Sequence, residues 1–319
     1  MPEDDYPAIA IAGPTASGKS ALGLFLAEEC GGEIVNYDSV QLFRHMDIGS
    51  AKPGRDDRAR VPHHLIDVLD PGETASAGDY QRRARQVLAE IRDRGRLPVL
   101  VGGTGLYLRA LLEGLFEGPQ RSDRWRARLA VLADRRGKEY LHRVLGRLDR
   151  DAAGRIAPRD ISKVIRAIEV RLESGRSLSS HLQARPRNPL TGFAVTIVGL
   201  APDREALHQR ISERVRAMFE SGLVPEVREL LGRGISSEAS ALKAIGYRQV
   251  VRHILHGIPL EEAIMSTERD TRRYAKRQMT WFRKQHTITW FDGFGNGEEN
   301  KERIHRFADT FLGGFPDGS

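Results

Sequence analysis

The sequence is poor in cysteine and in long apolar runs, and each shortage excludes a class of protein. Cys30 is the only cysteine among 319 residues, which excludes an internal disulfide framework and a cysteine-based zinc site. No apolar run approaches the ~20 residues that cross a bilayer, so we expect no membrane partner. The acidic start at Pro2–Asp5 leads directly into a first strand. We therefore expect no secretory signal, and a reducing cytoplasm as the location.

Short apolar runs alternate with helical patterns along most of the chain. The apolar runs predict strands at 8–12, 33–37, 97–101, 195–199 and 288–291. Helical patterns follow the first and precede the third of these runs, a long helix is predicted at about 259–284, and another follows the last strand. This alternation predicts an α/β fold with a parallel sheet flanked by helices.

The alternation is interrupted between residues 119 and 189. That stretch carries no strand signal, has a helical pattern rich in arginine, and is bounded by Gly118-Pro119 and Pro186–Pro189. We predict an α/β core domain formed by 1–118 and 190–319, with a helical basic insertion domain at 119–189.

Positive charge is concentrated in two segments. From Arg121 to Asn188 there are 18 Lys and Arg against eight Asp and Glu, a net of +10, whereas the whole chain is +7. A second run, Glu268 to Lys284, has seven cations against two anions. Taken alone, either run is as typical of a solvated helix face as of a binding surface. The two runs together favour a polyanionic partner, with nucleic acid as the leading candidate.

Residues 13–20, GPTASGKS, match the P-loop pattern G-x-x-x-x-G-K-[ST] between a strand and a helix. Backbone N–H groups of such a loop and the helix N-terminus suit phosphate oxygens. The predicted phosphate-binding residues are Gly13, Pro14, Thr15, Ala16, Ser17, Gly18, Lys19 and Ser20. Lys19 would neutralise the phosphate, and the Ser20 hydroxyl is the predicted Mg²⁺ ligand. The pattern thus predicts a P-loop fold but does not say which phosphate is bound.

Polar residues follow two other predicted strands. Asp38 is either a Mg²⁺ ligand or proton acceptor, or simply a turn or helix-cap residue. Thr104 is either a donor to a phosphate oxygen or the N-cap of the next helix. A nucleotide-hydrolysing P-loop protein would carry an Asp after the 97–101 strand, where Gly102 stands, which counts against an ATPase or GTPase.

Two further groups are open to a functional and a structural interpretation. Arg214 lies on a predicted helix with Arg210 one turn earlier, and helical arginines are mostly surface residues. His63 and His64 form a tempting metal pair. Adjacent strand residues point to opposite faces, and no neighbouring carboxylate or cysteine completes a ligand set, so we interpret both as structural.

Six segments together closely resemble the tRNA dimethylallyltransferase family, also called tRNA isopentenyltransferases. They run in the family's order from the first strand to the last long helix. They are GPTASGKS at 13–20, DSVQLFRHMDIGSAKP at 38–53, PHHLID at 62–67, GGTGLYLRALLEGL at 102–115, AIGYRQ at 244–249 and TRRYAKRQMTWFRK at 271–284. Phe43 and Ser50 stand where tyrosine and threonine are expected, and both departures are conservative.

The resemblance implies transfer of a dimethylallyl group from dimethylallyl diphosphate to N6 of adenosine 37 in tRNA. It implies that Asp38 is the general base, that Thr104 and Arg214 contact the diphosphate, and that the P-loop holds this diphosphate rather than ATP. The partner would be the tRNA anticodon stem-loop, bound by a monomer. The implied tRNA contacts are Asp38, Ser39, Val40, Gln41, Arg126, Ser162, Lys163, Val164, Ile165, Arg166, Ala244, Ile245, Gly246, Tyr247, Arg248, Arg272, Arg273, Lys276 and Arg277.

Three alternative functions remain at this stage. The same transfer to free adenine nucleotides would not need the basic insertion. A small-molecule P-loop kinase does not fit the motifs that follow the loop. A nucleotide-driven RNA-binding switch lacks the metal-binding aspartate after the 97–101 strand.

Overall fold

The computed structural model describes residues 5–116, 118–184, 188–284 and 287–315. The chain forms two compact units. The larger unit is Met1–Leu112 with Leu190–Ser319, and the smaller is Glu113–Pro189. The first boundary lies before the one expected at 118/119, so the Gly-containing stretch after Leu112 belongs to the smaller unit.

The larger unit is built on a six-stranded sheet in which every pairing is parallel. The strands lie in the spatial order β3-β2-β4-β1-β5-β6. They are β1 (Tyr6–Ala12), β2 (Gly32–Asn36), β3 (His63–His64), β4 (Leu97–Val101), β5 (Phe193–Ala201) and β6 (Ile288–Asp292). Apolar runs predicted all of these except β3, whose two residues are too short to give a pattern. The predicted α/β fold with a parallel sheet flanked by helices is confirmed.

The helices cover both faces of this sheet and make up the smaller unit. In chain order they are α1 (Lys19–Glu29), α2 (Arg55–Arg60), α3 (Ala77–Asp93), α4 (Gly105–Glu113), α5 (Asp123–Arg136), α6 (Lys138–Leu148), α7 (Arg150–Arg155), α8 (Ile161–Ser174), α9 (Leu178–Gln183), α10 (Arg204–Glu220), α11 (Leu223–Gly232), α12 (Tyr247–His256), α13 (Leu260–Phe282) and α14 (Glu298–Leu312). Helices α5 to α9 belong to the smaller unit. The long helix and the C-terminal helix lie where the sequence predicts them.

The two faces of the sheet carry separate hydrophobic cores because side chains alternate along a strand. On β1, Ile9 and Ile11 point to the face covered by α1 and α14. The alternate residues Ala8 and Ala10 point to the other face, where α3, α4, α11 and α12 pack. Both faces of the sheet are therefore buried from solvent, as is usual for a parallel sheet.

The parallel arrangement brings the carboxyl ends of β1, β4 and β2 to one edge. The backbone N–H of Tyr37, just after β2, donates to Val101 O at 2.9 Å. The Tyr37 hydroxyl donates to Ile11 O on β1 at 2.5 Å. The segments that follow these three strands therefore meet at one place.

The smaller unit has its own core and polar anchors. Leu141, Leu145 and Val164 are completely buried between its helices. The Asp149 carboxylate caps α7 by accepting from Ala152 N at 3.0 Å, and it also accepts from Ser179 N at 2.8 Å. Across the described residues of both units, none of the helices combines the length and apolar character of a membrane span.

Candidate active site

The P-loop wraps around its own lysine. Its backbone takes left-handed conformations at Ala16 (φ 64°) and Gly18 (φ 88°). Lys19 is 9% exposed, and its Nζ donates to Pro14 O at 2.6 Å. Left-handed residues turn successive backbone N–H groups toward one side, which forms a concave anion-binding site. The local geometry is therefore that of a phosphate cradle.

The charged form of the buried Lys19 side chain is disfavoured by its surroundings. Burial, with a smaller contribution from Arg214, lowers the pKa of Lys19 to about 7, although Asp38 acts in the opposite direction. A bound anion would favour the charged form and raise this pKa again. The site is thus poised to gain stability when an anion enters.

Asp38 divides its two carboxylate oxygens between a turn and the site. Oδ1 accepts from Val40 N at 2.9 Å, and the backbone N–H of Asp38 donates to Asn36 Oδ1 at 2.9 Å. Oδ2 lies near Gly103, 3.3 Å from the position of a Cβ on that glycine. One oxygen therefore fixes the turn, as the structural interpretation expects, and the other faces Gly103. The role of Asp38 as a proton acceptor or Mg²⁺ ligand stays a prediction.

Thr104 contacts the segment after β2. Its Oγ1 accepts from Ser39 N at 3.0 Å and donates to Ser39 Oγ at 3.2 Å. Its carbonyl accepts from Tyr107 N at the start of α4. The hydroxyl therefore ties two loops together and does not cap α4.

Arg214 reaches the P-loop from α10. Its Nη1 donates to Thr15 Oγ1 at 3.3 Å. Burial lowers the pKa of the guanidinium, while nearby Asp38 raises it. The fold thus brings Arg214 to the phosphate cradle, as the functional interpretation requires.

Two cavities of about 310 Å³ each meet at this place. The P-loop cavity is lined by residues 15–21 with Gly102, Gly103, Arg210 and Gln278. The apolar cavity is lined by Val40, Ile211, Val215, Met218, Ile245 and Tyr274 among others. Both are lined by Thr15, Ala16, Asp38, Ser50 and Arg214. Asp38 therefore stands at the junction of a polar and an apolar chamber, whereas Thr104 lines neither.

Two residues of α13 complete the site and were not among the predicted site residues. Gln278 Oε1 accepts from Thr15 N at 2.7 Å, and its Nε2 donates to Gly103 O at 2.8 Å. The Tyr274 hydroxyl also donates to Gly103 O, at 3.2 Å. The two residues are one helical turn apart, so the spacing within the 271–284 segment is the signal that would have found them.

Glu226 was also missed, and it anchors the segment that lines both cavities. Its carboxylate accepts from the backbone N–H groups of Asp47, Ile48 and Gly49 at 2.9, 2.8 and 3.3 Å. It also accepts from the Tyr247 hydroxyl at 2.7 Å. A glutamate on α11 gives no sequence signal for such a role.

The predicted tRNA contacts of the larger unit fall into lining, buried and exposed groups. Ser39, Val40, Ala244, Ile245 and Gly246 line the apolar cavity, and Gln41 lines the P-loop cavity. Tyr247 is 0% exposed, so its side chain can act at an RNA surface only indirectly, through Glu226.

The basic residues among these contacts differ in how they are paired. Arg248 Nη2 donates to Asp270 at 2.6 Å, and Arg272 Nη2 donates to Ser212 Oγ at 2.6 Å. Arg273, Lys276 and Arg277 are exposed on α13, and Arg277 also lines the apolar cavity.

In the smaller unit the predicted contacts divide in the same way. Ser162 and Lys163 are exposed, whereas Val164 and Ile165 are buried in its core. Arg126 and Arg166 both pair with the fully buried Glu169, at 3.0 and 2.9 Å. Both arginine side chains are 28% exposed, so a phosphate could reach only part of each.

The exposed side chain of Ser20 suits a hard cation. It lines the P-loop cavity together with Asp38. No hydrogen bond of the Ser20 hydroxyl is found within the described ranges, so its oxygen is available. Hydroxyl, carboxylate and water oxygens are the ligands that Mg²⁺ prefers.

The histidine pair has local structural partners. His63 Nδ1 lies 2.7 Å from Val61 O, and His64 Nε2 lies 2.6 Å from Glu33 Oε2. The carboxylate partner on β2 was not expected from the sequence. In the described part of the chain, the group of side chains with metal-like spacing is Cys30, His305 and Asp309, which does not include this pair.

Comparison with known proteins assigns the family. The model of the IPP transferase family matches residues 41–285. The chain belongs to the IPP transferase family. Among its relatives, the tRNA dimethylallyltransferase of Solibacter usitatus is 49% identical over 307 residues, covering 96% of this chain and 99% of that protein. The tRNA dimethylallyltransferase of Koribacter versatilis is 51% identical over 284 residues, covering 89% of this chain and 92% of that protein.

Solved structures of two transferases share the fold. The tRNA isopentenylpyrophosphate transferase of Bacillus halodurans superposes with a TM-score of 0.71 at 38% identity, covering 97% of each chain. A eukaryotic dimethylallyltransferase, described as acting on tRNA, gives a TM-score of 0.82 at 24% identity and covers 98% of this chain and 81% of its own. The latter likeness is one of fold. The predicted P-loop fold, family and transferase class are confirmed.

Proposed function

We propose that this chain transfers a dimethylallyl group from dimethylallyl diphosphate to N6 of adenosine 37 in tRNA, giving N6-isopentenyladenosine. The observation that carries the proposal is the position of Asp38, where the P-loop cavity meets the apolar cavity. A leaving diphosphate in the first chamber and an adenine in the second would both lie next to one carboxylate. The names of the relatives agree with this activity.

The P-loop cavity has the groups that a departing diphosphate needs. Lys19 and Arg214 place two cations beside the backbone N–H groups of the loop. The Ser17 hydroxyl is buried and has no partner within the described ranges, and a phosphate oxygen would satisfy it. As the C–O bond breaks, its electron pair leaves with the diphosphate, and these fixed charges stabilise that product.

Asp38 Oδ2 is the proposed proton acceptor. The exocyclic amine of adenine is a poor nucleophile because its lone pair is delocalised into the ring. As the N6–C bond forms, one N6–H proton passes to the carboxylate, which later releases it to water. The Val40 N–H on Oδ1 keeps the carboxyl group in a fixed orientation during this step.

Ser20 is the residue that would hold Mg²⁺, with Asp38 lining the same cavity. When bound, the ion would neutralise charge on the diphosphate oxygens. The residues present fit such an ion because both offer oxygen ligands in an accessible cavity.

The apolar cavity would receive the adenine base. A base must leave its stack to enter, at a cost of a few kcal/mol, which is smallest in a single-stranded loop such as the anticodon loop. The exposed cations Arg273, Lys276 and Arg277 are the proposed backbone contacts on the larger unit, and Lys163 is one on the smaller. We propose that a monomer acts on the anticodon stem-loop in the cytoplasm.

A substrate panel tests the proposal. The protein is incubated with Mg²⁺ and labelled dimethylallyl diphosphate, together with unmodified tRNA, free AMP or ATP, and products are separated chromatographically. Label is expected on adenosine 37 of tRNA and not on AMP. Label on AMP alone would favour the free-nucleotide reaction. A phosphoryl product that depends on ATP, with no prenylated RNA, would refute the proposal.

A further inference from the structure

A loop from the far end of the chain packs against the P-loop. Residues 293–297 follow β6, and we call them the C-terminal loop. The N–H of Gly295 donates to Ser17 O at 2.9 Å. A Cβ on Gly18 would lie only 2.9 Å from Asn296 N and 3.0 Å from Gly295 N. The contact is therefore backbone against backbone, and it requires glycine at position 18.

The C-terminal loop is itself held in one conformation. The Asn300 side chain, 9% exposed on α14, donates from Nδ2 to Asp292 O at 2.8 Å and to Phe294 O at 3.1 Å. Such bonds from a largely buried amide fix the turn that precedes α14. The loop is thus a rigid support for the P-loop.

This loop also holds a third cation at the P-loop cavity. Arg210, on α10, lines that cavity, and its Nη1 donates to Asn296 Oδ1 at 2.7 Å. Its guanidinium carbon lies 4.7 Å from the centroid of the Phe294 ring. A guanidinium has five N–H donors, and no other side-chain hydrogen bond of Arg210 is found in the described part of the chain.

The charge around Arg210 indicates an anionic ligand. Arg210 and Arg214 are one helical turn apart and line the same cavity. The pKa of Arg214, which burial lowers and Asp38 raises, is lowered further by Arg210. Holding two guanidiniums together is unfavourable unless an anion enters between them. A fork of N–H donors matches phosphate oxygens.

We propose that Arg210 is a further contact for the diphosphate of the substrate, and that Asn296 and Phe294 of the C-terminal loop are its positioning residues. This inference rests on the proposed function, because it names a second arginine for the same leaving group. It makes the C-terminal loop, which lies outside residues 41–285 matched by the family, part of the phosphate site.

Calorimetric titration with inorganic diphosphate and Mg²⁺ tests the contact without requiring turnover. Arg210→Gln is expected to weaken diphosphate binding by about tenfold to a hundredfold, as expected for loss of charged hydrogen bonds. Arg210→Lys, which keeps the charge, should restore part of the affinity. The Kd for tRNA should stay within about twofold, because phosphate contacts of the RNA are elsewhere. Arg204→Gln, an exposed arginine on the same helix, is the matched control and should bind diphosphate normally.

The positioning role has a separate readout. Asn296→Ala should weaken diphosphate binding by about threefold, and Arg210→Gln with Asn296→Ala should be no weaker than Arg210→Gln alone. Additive losses, or normal diphosphate binding by Arg210→Gln, would overturn the inference. If Lys19→Ala loses binding but Arg210→Gln does not, the inference fails and the proposed function stands. If the unchanged protein binds no diphosphate, the proposed function fails as well.

Discussion

At the scale of single residues, Asp38 combines a structural and a chemical role. Its Oδ1 accepts the Val40 N–H, and its Oδ2 lies near Gly103. An asparagine can keep the first contact, because its side-chain oxygen also accepts a hydrogen bond. It cannot act as a base. The two roles of Asp38 can therefore be separated by one substitution.

We predict that Asp38→Asn lowers kcat by about a hundredfold to ten-thousandfold, the usual range for loss of a general base. The melting temperature and the Kd for tRNA should change little. Single-turnover transfer to tRNA measures the rate. Asp70→Asn, at an exposed carboxylate that is 66% accessible, is the control and should transfer at the normal rate. A normal rate in Asp38→Asn would exclude Asp38 as the base.

Gln278 joins two backbone segments of the active site through its side-chain amide. It accepts from Thr15 N of the P-loop and donates to Gly103 O, and it is 5% exposed. A side chain of the same length without polar ends would leave the Thr15 N–H without this partner and Gly103 O with the Tyr274 hydroxyl alone.

We predict that Gln278→Met destabilises the protein by about 2 kcal/mol and raises the KM for dimethylallyl diphosphate more than it lowers kcat. Denaturant unfolding and steady-state kinetics measure these effects. Thr280→Val on the exposed face of the same helix serves as the control. Unchanged stability with unchanged KM would mean that the two hydrogen bonds do not shape the loop.

At the scale of elements, α13 has one face buried at the active site and an opposite face exposed to solvent. Ala275, Gln278 and Phe282 point inward, whereas Arg273, Lys276 and Arg277 are exposed. Residues three and four apart share a face of a helix. One basic segment can therefore complete the active site on one side and present cations on the other.

The segment after β2 and the helix α12 approach each other at Gly49. A Cβ there would lie 2.5 Å from Cε2 of Tyr247 and 2.8 Å from Leu223. Tyr247 is fully buried, so its ring cannot turn aside into solvent.

We predict that Gly49→Ala destabilises the protein by about 1 to 3 kcal/mol, the range for overpacking, and lowers activity by displacing the neighbouring Ser50. Thermal melting and transfer assays check both effects. Gly72→Ala, where a Cβ would meet nothing within 4 Å, should change stability by less than about 0.5 kcal/mol. Equal stability of the two variants would contradict the close approach.

In the smaller unit, Glu169 organises two helices. Burial alone would raise its pKa, but hydrogen bonds from Arg126, Ser122 N and Arg166 outweigh burial and hold the pKa below its ordinary value of 4.5. A carboxyl with a lowered folded pKa stabilises the fold above its unfolded pKa. That contribution is lost as the pH falls through the folded pKa.

We predict that α5 and α8 open in acid, as the pH falls below 4.5 and through the lower folded pKa of Glu169, where this carboxylate is protonated. Glu169→Gln should open them already at pH 7, at a cost of about 3 kcal/mol, because two arginines lose a buried partner. Hydrogen exchange by mass spectrometry locates the opening. Glu173 is an exposed glutamate on the same helix. In the control variant Glu173→Gln, these helices should keep their normal protection from hydrogen exchange. Unchanged protection in Glu169→Gln would contradict this role.

At the scale of the whole molecule, charge is divided unevenly between the two units. The smaller unit, Glu113–Pro189, has 18 Lys and Arg against ten Asp and Glu, a net of +8, so the remainder of the chain, the larger unit, carries −1 within the total of +7. The remainder nevertheless presents a local cationic surface on α13. A polyanion held by both regions would release counterions from its phosphates on binding.

We predict that the logarithm of tRNA affinity falls linearly with the logarithm of salt concentration, by about 0.7 to 0.9 per neutralised phosphate. Lys163→Gln and Lys276→Gln, one in each unit, should each reduce the slope by about one. Fluorescence anisotropy over a salt series measures it. Lys301→Gln on α14, whose ammonium pairs with Glu298 at 2.8 Å, should keep the slope. A flat salt response would remove both basic regions from RNA binding.

Local patterns in the sequence were enough to determine several features. The strands β1, β2, β4, β5 and β6, the P-loop and the helical character of 119–189 follow from apolar periodicity and from glycine spacing, which act over a few residues. The meeting of Asp38 with the P-loop also follows, since parallel strands bring their carboxyl ends to one edge.

Only the tertiary structure decided which distant side chains contact one another at and around the site. Gln278 reaches the P-loop across 263 residues of sequence, and Glu226 holds Ile48 across 178. Arg126 and Arg166, predicted to contact RNA, turn out to pair with buried Glu169. No local pattern encodes such contacts, because each depends on packing between elements that fold far apart in the chain.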